Sequence, residues 1–151
     1  MTRIDFYHLQ KSNIKEALPK LLEKAYALGK KILIKVGNEK NVEDFNSHLW
    51  SYDEQSFLPH GSKKDGNASQ QPIWLTSQDD NLNDASILFL VDSARINAEN
   101  ISSFERVINF FDGNNQDDVA WSREFWKQLK SQGHECYYWQ QDDLGSWKQK
   151  A

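Results

Sequence analysis

Lys31-Ile32-Leu33-Ile34-Lys35-Val36 is a short, nearly continuous apolar run. Strands buried on both faces, as in the middle of a parallel sheet, have this character. Upstream, Ile14, Ala17, Leu18, Leu21, Leu22, Ala25 and Leu28 recur at spacings of three and four, which predicts a helix with one buried stripe. Ser12 or Asn13 can cap it, and Gly29 suits its end. Pro19 removes a backbone donor within that stretch, so a kink or a later start is expected. Arg3 to Leu9 is aromatic and β-branched enough for a first strand. Downstream, Asn38 can cap a second helix carrying Val42, Phe45, Leu49 and Trp50. Strand, helix, strand, helix with short connections points to a parallel α/β sheet.

The remainder of the chain extends that pattern. Residues 61–71 are polar and rich in Gly, Asn, Ser and Lys, and read as an exposed loop. Pro72 to Ser77 is a strand candidate near an edge, because proline cannot donate to a ladder. Ser86 to Val91 is the most apolar run and should be a buried strand. Residues 101–112 are ambiguous between helix and strand, with a strand favoured in the second half. Gly113-Asn114-Asn115 is a turn. A helix then runs from Asp117 or Asp118 to the terminating Gly133. His134 to Gln140 is a final strand. The expected organisation is one domain over residues 1–147, followed by a frayed tail at 148–151.

Composition narrows the function classes. The chain has 151 residues, a net charge of -4 and 13% aromatic residues. It can bury a full core without disulfide or metal staples. Its aromatic content argues against disorder, and its acidity against dominant, non-specific nucleic-acid binding. The single cysteine, Cys136, allows no internal disulfide and suggests a reducing compartment. No apolar run reaches the ~20 residues of a membrane span. The N-terminus lacks the apolar centre of a secretory signal. A cytoplasmic protein is the expectation.

Chemistry is sparse. His8-Leu9-Gln10-Lys11-Ser12-Asn13, after the first strand, contains no glycine, whereas a phosphate cradle needs several. Gly37-Asn38-Glu39 has one glycine and an acid beside it. His134 and Cys136 lie two apart, but no further ligand stands at metal spacing, and no group would orient them as a nucleophile pair. The pairs Asp79-Asp80, Asp117-Asp118 and Asp142-Asp143 fall in loops or at a helix start, where capping explains them. His60, after Pro59, reads as a polar residue closing a loop, since no nucleophile is near it. No catalytic residue, metal or cofactor is expected.

One segment resists this bland account. Across 119–131 the large aromatics Trp121, Phe125 and Trp126 do not share one stripe. At ~100° per residue, Trp121 lies by Phe125 and Val119 by Trp126. Arg123, Lys127 and Lys130 share a face, opposed within the segment only by Glu124. They could be solvated cations complementing the helix dipole. They could also border a pocket for an acidic, aromatic-ended peptide, with Arg123 forking onto a carboxylate, Trp126 an apolar wall and Lys127 a second charge. Trp50 is another large aromatic at a helix end. A single-stranded nucleic-acid platform uses the same ingredients but needs a longer positive groove.

Several blocks in order resemble the chi-subunit family of bacterial DNA polymerase III, a small accessory protein attached to the clamp loader. They are Asp5-Phe6-Tyr7-His8-Leu9, the run from Glu23 to Ile34, His48-Leu49-Trp50 with Ser56 to Gly61, Phe104 to Ile108 with Asp112-Gly113, Ala120 to Lys127, and Gly133-His134 with Tyr138 to Gln141. The resemblance implies a three-layer α/β/α fold, Rossmann-like without a phosphate-binding loop. It implies two partners: the psi subunit, and the acidic, phenylalanine-ended C-terminal tail of single-stranded-DNA-binding protein. DNA would be met only indirectly. Residues matching the family's tail site are Arg123, Trp126, Lys127 and Trp50, with Val119 and Lys130 supporting. Val119 stands where some relatives carry a basic residue. The psi contact is not assigned to residues; Ser56–His60 is its candidate segment. Alternatives are a degenerate nucleotide-binding enzyme or a direct single-stranded-DNA binder. A flexible tail loses entropy on binding, so affinity near micromolar, roughly -8 kcal/mol, is expected.

Overall fold

The computed structural model describes residues 2–10, 13–52 and 58–151. Its elements follow the chain as β1 (Arg3–Leu9), α1 (Ile14–Tyr26), β2 (Ile32–Val36), α2 (Val42–Ser51), β3 (Gly61–Ser62), β4 (Ile73–Thr76), β5 (Ile87–Val91), β6 (Arg106–Asp112), α3 (Gln116–Ser131), β7 (Glu135–Gln141) and β8 (Trp147–Gln149). The strands form one sheet in the order β3-β4-β2-β5-β6-β1-β7-β8. Every neighbouring pair is parallel except β7 with β8.

Alternation along the strands builds two cores. Ile32, Ile34, Ile73, Leu75, Ile87 and Phe89 point to one face, where Leu18 and Leu22 of α1 and Phe45 and Leu49 of α2 cover them. Leu33, Leu88, Leu90, Val107, Ile4 and Phe6 point to the other, under Phe125 and Leu129 of α3 and the 3-10 turn Ala98–Ser103. The result is the three-layer α/β/α arrangement. All five residues of β5 are buried, which is why its sequence is apolar throughout.

Asparagines start the helices. Asn13 Oδ1 accepts from Glu16 N–H, and Asn115 Oδ1 accepts from Asp117 and Asp118 N–H. Asn38 caps a 3-10 turn, Glu39–Asn41, that leads into α2. Pro19 lies inside α1, which begins at Ile14 rather than later. Proline leaves the Lys15 carbonyl without its helical donor. His48 of α2 supplies a replacement, with its Nε2 at 2.7 Å from Lys15 O.

Two expectations are corrected. Residues 61–71 are not all exposed loop: Gly61 and Ser62 are buried and pair with Trp74 and Leu75, which makes β4 the strand next to the edge. The Gly-, Ser-, Lys- and Gln-rich polarity of that stretch hid a two-residue strand. The tail is not frayed in this structure. Trp147–Gln149 forms β8, and Lys150 N–H donates to Tyr138 O at 2.7 Å. The turn before it is held by Asp142, whose Oδ1 accepts from Leu144 and Ser146 N–H. Trp147 then packs edge-on against Tyr7 at 4.9 Å, an apolar anchor in a polar segment.

Asp5 shows how the sheet tolerates a charge. It is fully buried, and its carboxylate accepts from Arg3, from Arg106 on β6 and from Trp139 Nε1 on β7. Breaking such a satisfied buried group costs several kcal/mol, of order 3–5.

A cationic aromatic pocket beside the third helix

The buried stripe of α3 is Asp118, Ser122, Phe125 and Leu129, at helical spacing. Ser122 Oγ accepts from Asn109 Nδ2 on β6, which fixes the roll of the helix over the sheet. That roll sends the flanking residues to opposite sides. Trp121 goes to one flank, stacked on Phe125 at 4.5 Å and covered by the Arg95 guanidinium. Val119, Arg123, Trp126 and Lys127 go to the other flank, which faces β7.

On that flank lies a cavity of about 270 Å³. Its walls from the sheet are Phe6 and His8 of β1, Phe111 of β6 and Tyr138 of β7. Trp126 meets Phe6 edge-on, with ring centroids 5.3 Å apart. Arg123 and Lys127 are exposed at the rim. The lining is thus an apolar trough under two cations, and it can take an aromatic side chain next to a carboxylate.

His8 forms part of the floor. Its ring stacks on Phe111 at 4.8 Å, and its Nδ1 meets the Tyr138 hydroxyl. Gln140 Nε2 donates to that hydroxyl oxygen at 2.9 Å, which leaves the hydroxyl proton available to His8 Nδ1. The other ring nitrogen, Nε2, is buried without a partner among the described residues. Burial holds His8 below the ordinary histidine range, against the opposing pull of Asp112. The floor is therefore uncharged at neutral pH, and the positive charge belongs to the rim.

The residues expected from sequence separate into two places. Arg123, Trp126, Lys127 and Val119 converge on the cavity. Lys130 stands behind it, with its Nζ 5.8 Å from the Trp126 ring. Trp50 is not brought to it. That residue lies in the last turn of α2, whose Phe45 and Leu49 pack in the core on the opposite face of the sheet, and its ring lies 4.1 Å from that of His60. His60 is buried, bridging the Leu58 and Asn46 carbonyls, so it closes its loop. Ser56 and Phe57 of the candidate psi segment lie outside the described residues. Phe6, His8, Phe111 and Tyr138 were not singled out for the site from sequence. Strand alternation carries a signal for them, but only the register Phe6 with Tyr138 and His8 with Phe111 brings them together.

Other candidate groups have structural roles. His134 Nδ1 accepts from Thr2 N–H. Cys136 is buried, which pushes its thiol up to about 11. Among the described residues no helix is long and apolar enough to cross a membrane.

Comparison with known proteins agrees with the ordered blocks noted above. The family model for "DNA polymerase III chi subunit, HolC" matches residues 1–137. A protein of Rickettsia prowazekii (strain Madrid E) described as "Probable DNA polymerase III subunit chi" is 34% identical over 113 residues, which cover 72% of this chain and 68% of that protein. The chain belongs to the DNA polymerase III chi subunit family.

Proposed function

We propose that this accessory subunit acts as a protein–protein adaptor in DNA replication, joining the clamp-loader complex, through psi, to the acidic C-terminal tail of single-stranded-DNA-binding protein. The observation that carries the tail-binding half is the apolar cavity under Arg123 and Lys127. Arg123 forks onto the terminal carboxylate, the terminal phenylalanine ring enters beside Trp126 and Phe6, and Lys127 faces the upstream acids. Trp50 and the Leu58–His60 segment belong to another layer of the fold, which leaves room for a second partner. The reading is non-catalytic: the pocket offers recognition groups, and its one imidazole is stacked on Phe111 and hydrogen-bonded with the Tyr138 hydroxyl.

The test is a titration of a fluorescent acidic peptide ending in phenylalanine. Saturable binding near micromolar is expected, weakened at least tenfold by Arg123→Ala, since a charge-assisted bidentate contact contributes about 1.5–3 kcal/mol. Added salt should weaken it further. Equal binding of a peptide lacking the final phenylalanine, or no loss in Arg123→Ala, refutes the assignment. A bare oligonucleotide that binds as tightly would favour the single-stranded-DNA reading instead.

A further inference from the structure

Tyr138 of β7 walls the cavity, and the strand beyond β7 is β8. β8 pairs antiparallel with β7, Lys148 opposite Gln140. Lys150 continues the pairing, donating its N–H to the carbonyl of Tyr138, the cavity wall. Side chains directly opposite in a sheet share a face. Lys148 and Lys150 therefore stand on the face that bears Tyr138 and the cavity, whereas Trp147 turns to the other face and packs on Tyr7. Both lysines are exposed. Their charges both reach the Asp142 carboxylate at the hairpin turn, which is held below the ordinary carboxylate range chiefly by its hydrogen bond from Ser146 N–H. These lysines lie outside the residues matched by the family model, which ends at 137.

We propose that Lys148 and Lys150 form the outer bank of a groove whose inner bank is Arg123 and Lys127, and that this groove takes the acidic residues preceding the terminal aromatic of a bound peptide. The inference rests on the tail-binding reading and extends it from a pocket to a track. Charge complementarity selects the occupant. An apolar trough between two cationic banks suits an extended chain with one aromatic end and several carboxylates. The carboxylates have cations on both sides, while the aromatic end is held by the cavity alone. The two parts of the peptide are thus read by different elements, the end by α3 and the acidic run by β8.

The experiment uses the full chain and two labelled peptides, one with four aspartates before a terminal phenylalanine and one with four serines in their place. Lys148→Glu/Lys150→Glu should weaken the aspartate peptide about tenfold, as expected for two exposed charge contacts converted to repulsions, and leave the serine peptide within about twofold. The salt dependence of the aspartate peptide should flatten in Lys148→Gln/Lys150→Gln. Arg123→Ala should weaken both peptides. Unchanged affinity for the aspartate peptide in Lys148→Glu/Lys150→Glu, with Arg123→Ala still defective, overturns the β8 bank and leaves the pocket standing. Failure of the wild-type chain to bind either peptide overturns both. Parallel loss of both peptides in the lysine variant also overturns the division of labour. Unchanged thermal melting of the lysine variants shows that β8 is still paired.

Discussion

Gly113 is the position where a single methyl group tests the architecture of the pocket floor. A Cβ there would lie 1.9 Å from His8 Nε2, 2.4 Å from Cδ2 and 3.1 Å from Cε1. The obstacle is a ring rather than a flexible chain end, and that ring is fixed by Phe111 on one side and by the Tyr138 hydroxyl on its far nitrogen. Gly113 does not have a positive φ, so alanine meets no backbone penalty there. The cost of Gly113→Ala is then overpacking, about 1–3 kcal/mol. In a chain of this length about 2 kcal/mol corresponds to a fall in Tm of roughly 4–8 °C. In a His8→Ala background the methyl group enters the space the ring vacated. The same substitution should then be neutral, or stabilising by up to about 1 kcal/mol through the reduced freedom of the unfolded chain. Urea unfolding of the four proteins gives the coupling directly, with about 2 kcal/mol expected between positions 8 and 113. Tail-peptide affinity should also fall in Gly113→Ala, because displacing His8 moves Phe111 and Tyr138, two walls of the cavity. An equal cost of Gly113→Ala with and without the His8 ring would refute the account.

Two further perturbations probe other parts of the fold. His48→Ala should cost about 1–2 kcal/mol by stranding the Lys15 carbonyl, but less than half as much in a Pro19→Ala background, where residue 19 regains an N–H; denaturant melts of the four proteins decide this. Burial raises Cys136 to about 11, so between the ordinary thiol value and that point the unfolded chain releases its proton while the folded chain keeps it. Stability contributed below that window is lost as pH climbs from roughly 9 through 11. A plot of unfolding free energy against pH should be flatter there for Cys136→Ala than for the wild-type chain, with identical slopes counting against the burial argument.

How far the sequence could be read followed from the range of the interactions involved. Strands such as Ile87–Val91 and the stripe of α1 were legible because burial on two faces or on one helix side writes a local period. The Asn13 cap was legible for the same reason, being set by a neighbour three residues on, whereas Asn38 caps a 3-10 turn instead of α2 and Asn115 read only as part of a turn. Gly61–Ser62 was not legible, because two residues carry no period and their strand exists only against Trp74 and Leu75. β8 was hidden because Lys148 and Lys150 look like a solvated tail until Trp147 is seen against Tyr7. The site behaved likewise. Arg123, Trp126 and Lys127 share one helix flank and could be grouped from spacing alone. Phe6, His8, Phe111 and Tyr138 join them through the crossing of β6-α3-β7 over β1, a fact of strand order that no local pattern encodes. Trp50 was grouped with them by resemblance, and the layer it occupies separates it from them.

The sheet has the crevice where doubly wound folds usually bind nucleotides, beyond the carboxyl ends of β1, β5 and β6. Its lining explains why no phosphate loop was found in the sequence. Asp92, Asp112, Asp118 and Glu16 line it, so an anion entering would meet carboxylates rather than lysines. The two helix N-termini that could have met a phosphate are already capped, that of α1 by Asn13 and that of α3 by Asn115. The tight crossing of Gly37 beneath Asp92, where a Cβ would lie 1.8 Å from the Asp92 carbonyl oxygen, brings two loops together at the end of β2. Anion recognition at the usual place is thus disfavoured by charge and by prior use of the backbone donors. The cations of α3 and β8 lie instead along the side of the helix and on the sheet margin, over aromatic rings from three strands. That placement suits carboxylates carried on a peptide, whose aromatic end can be desolvated in the trough.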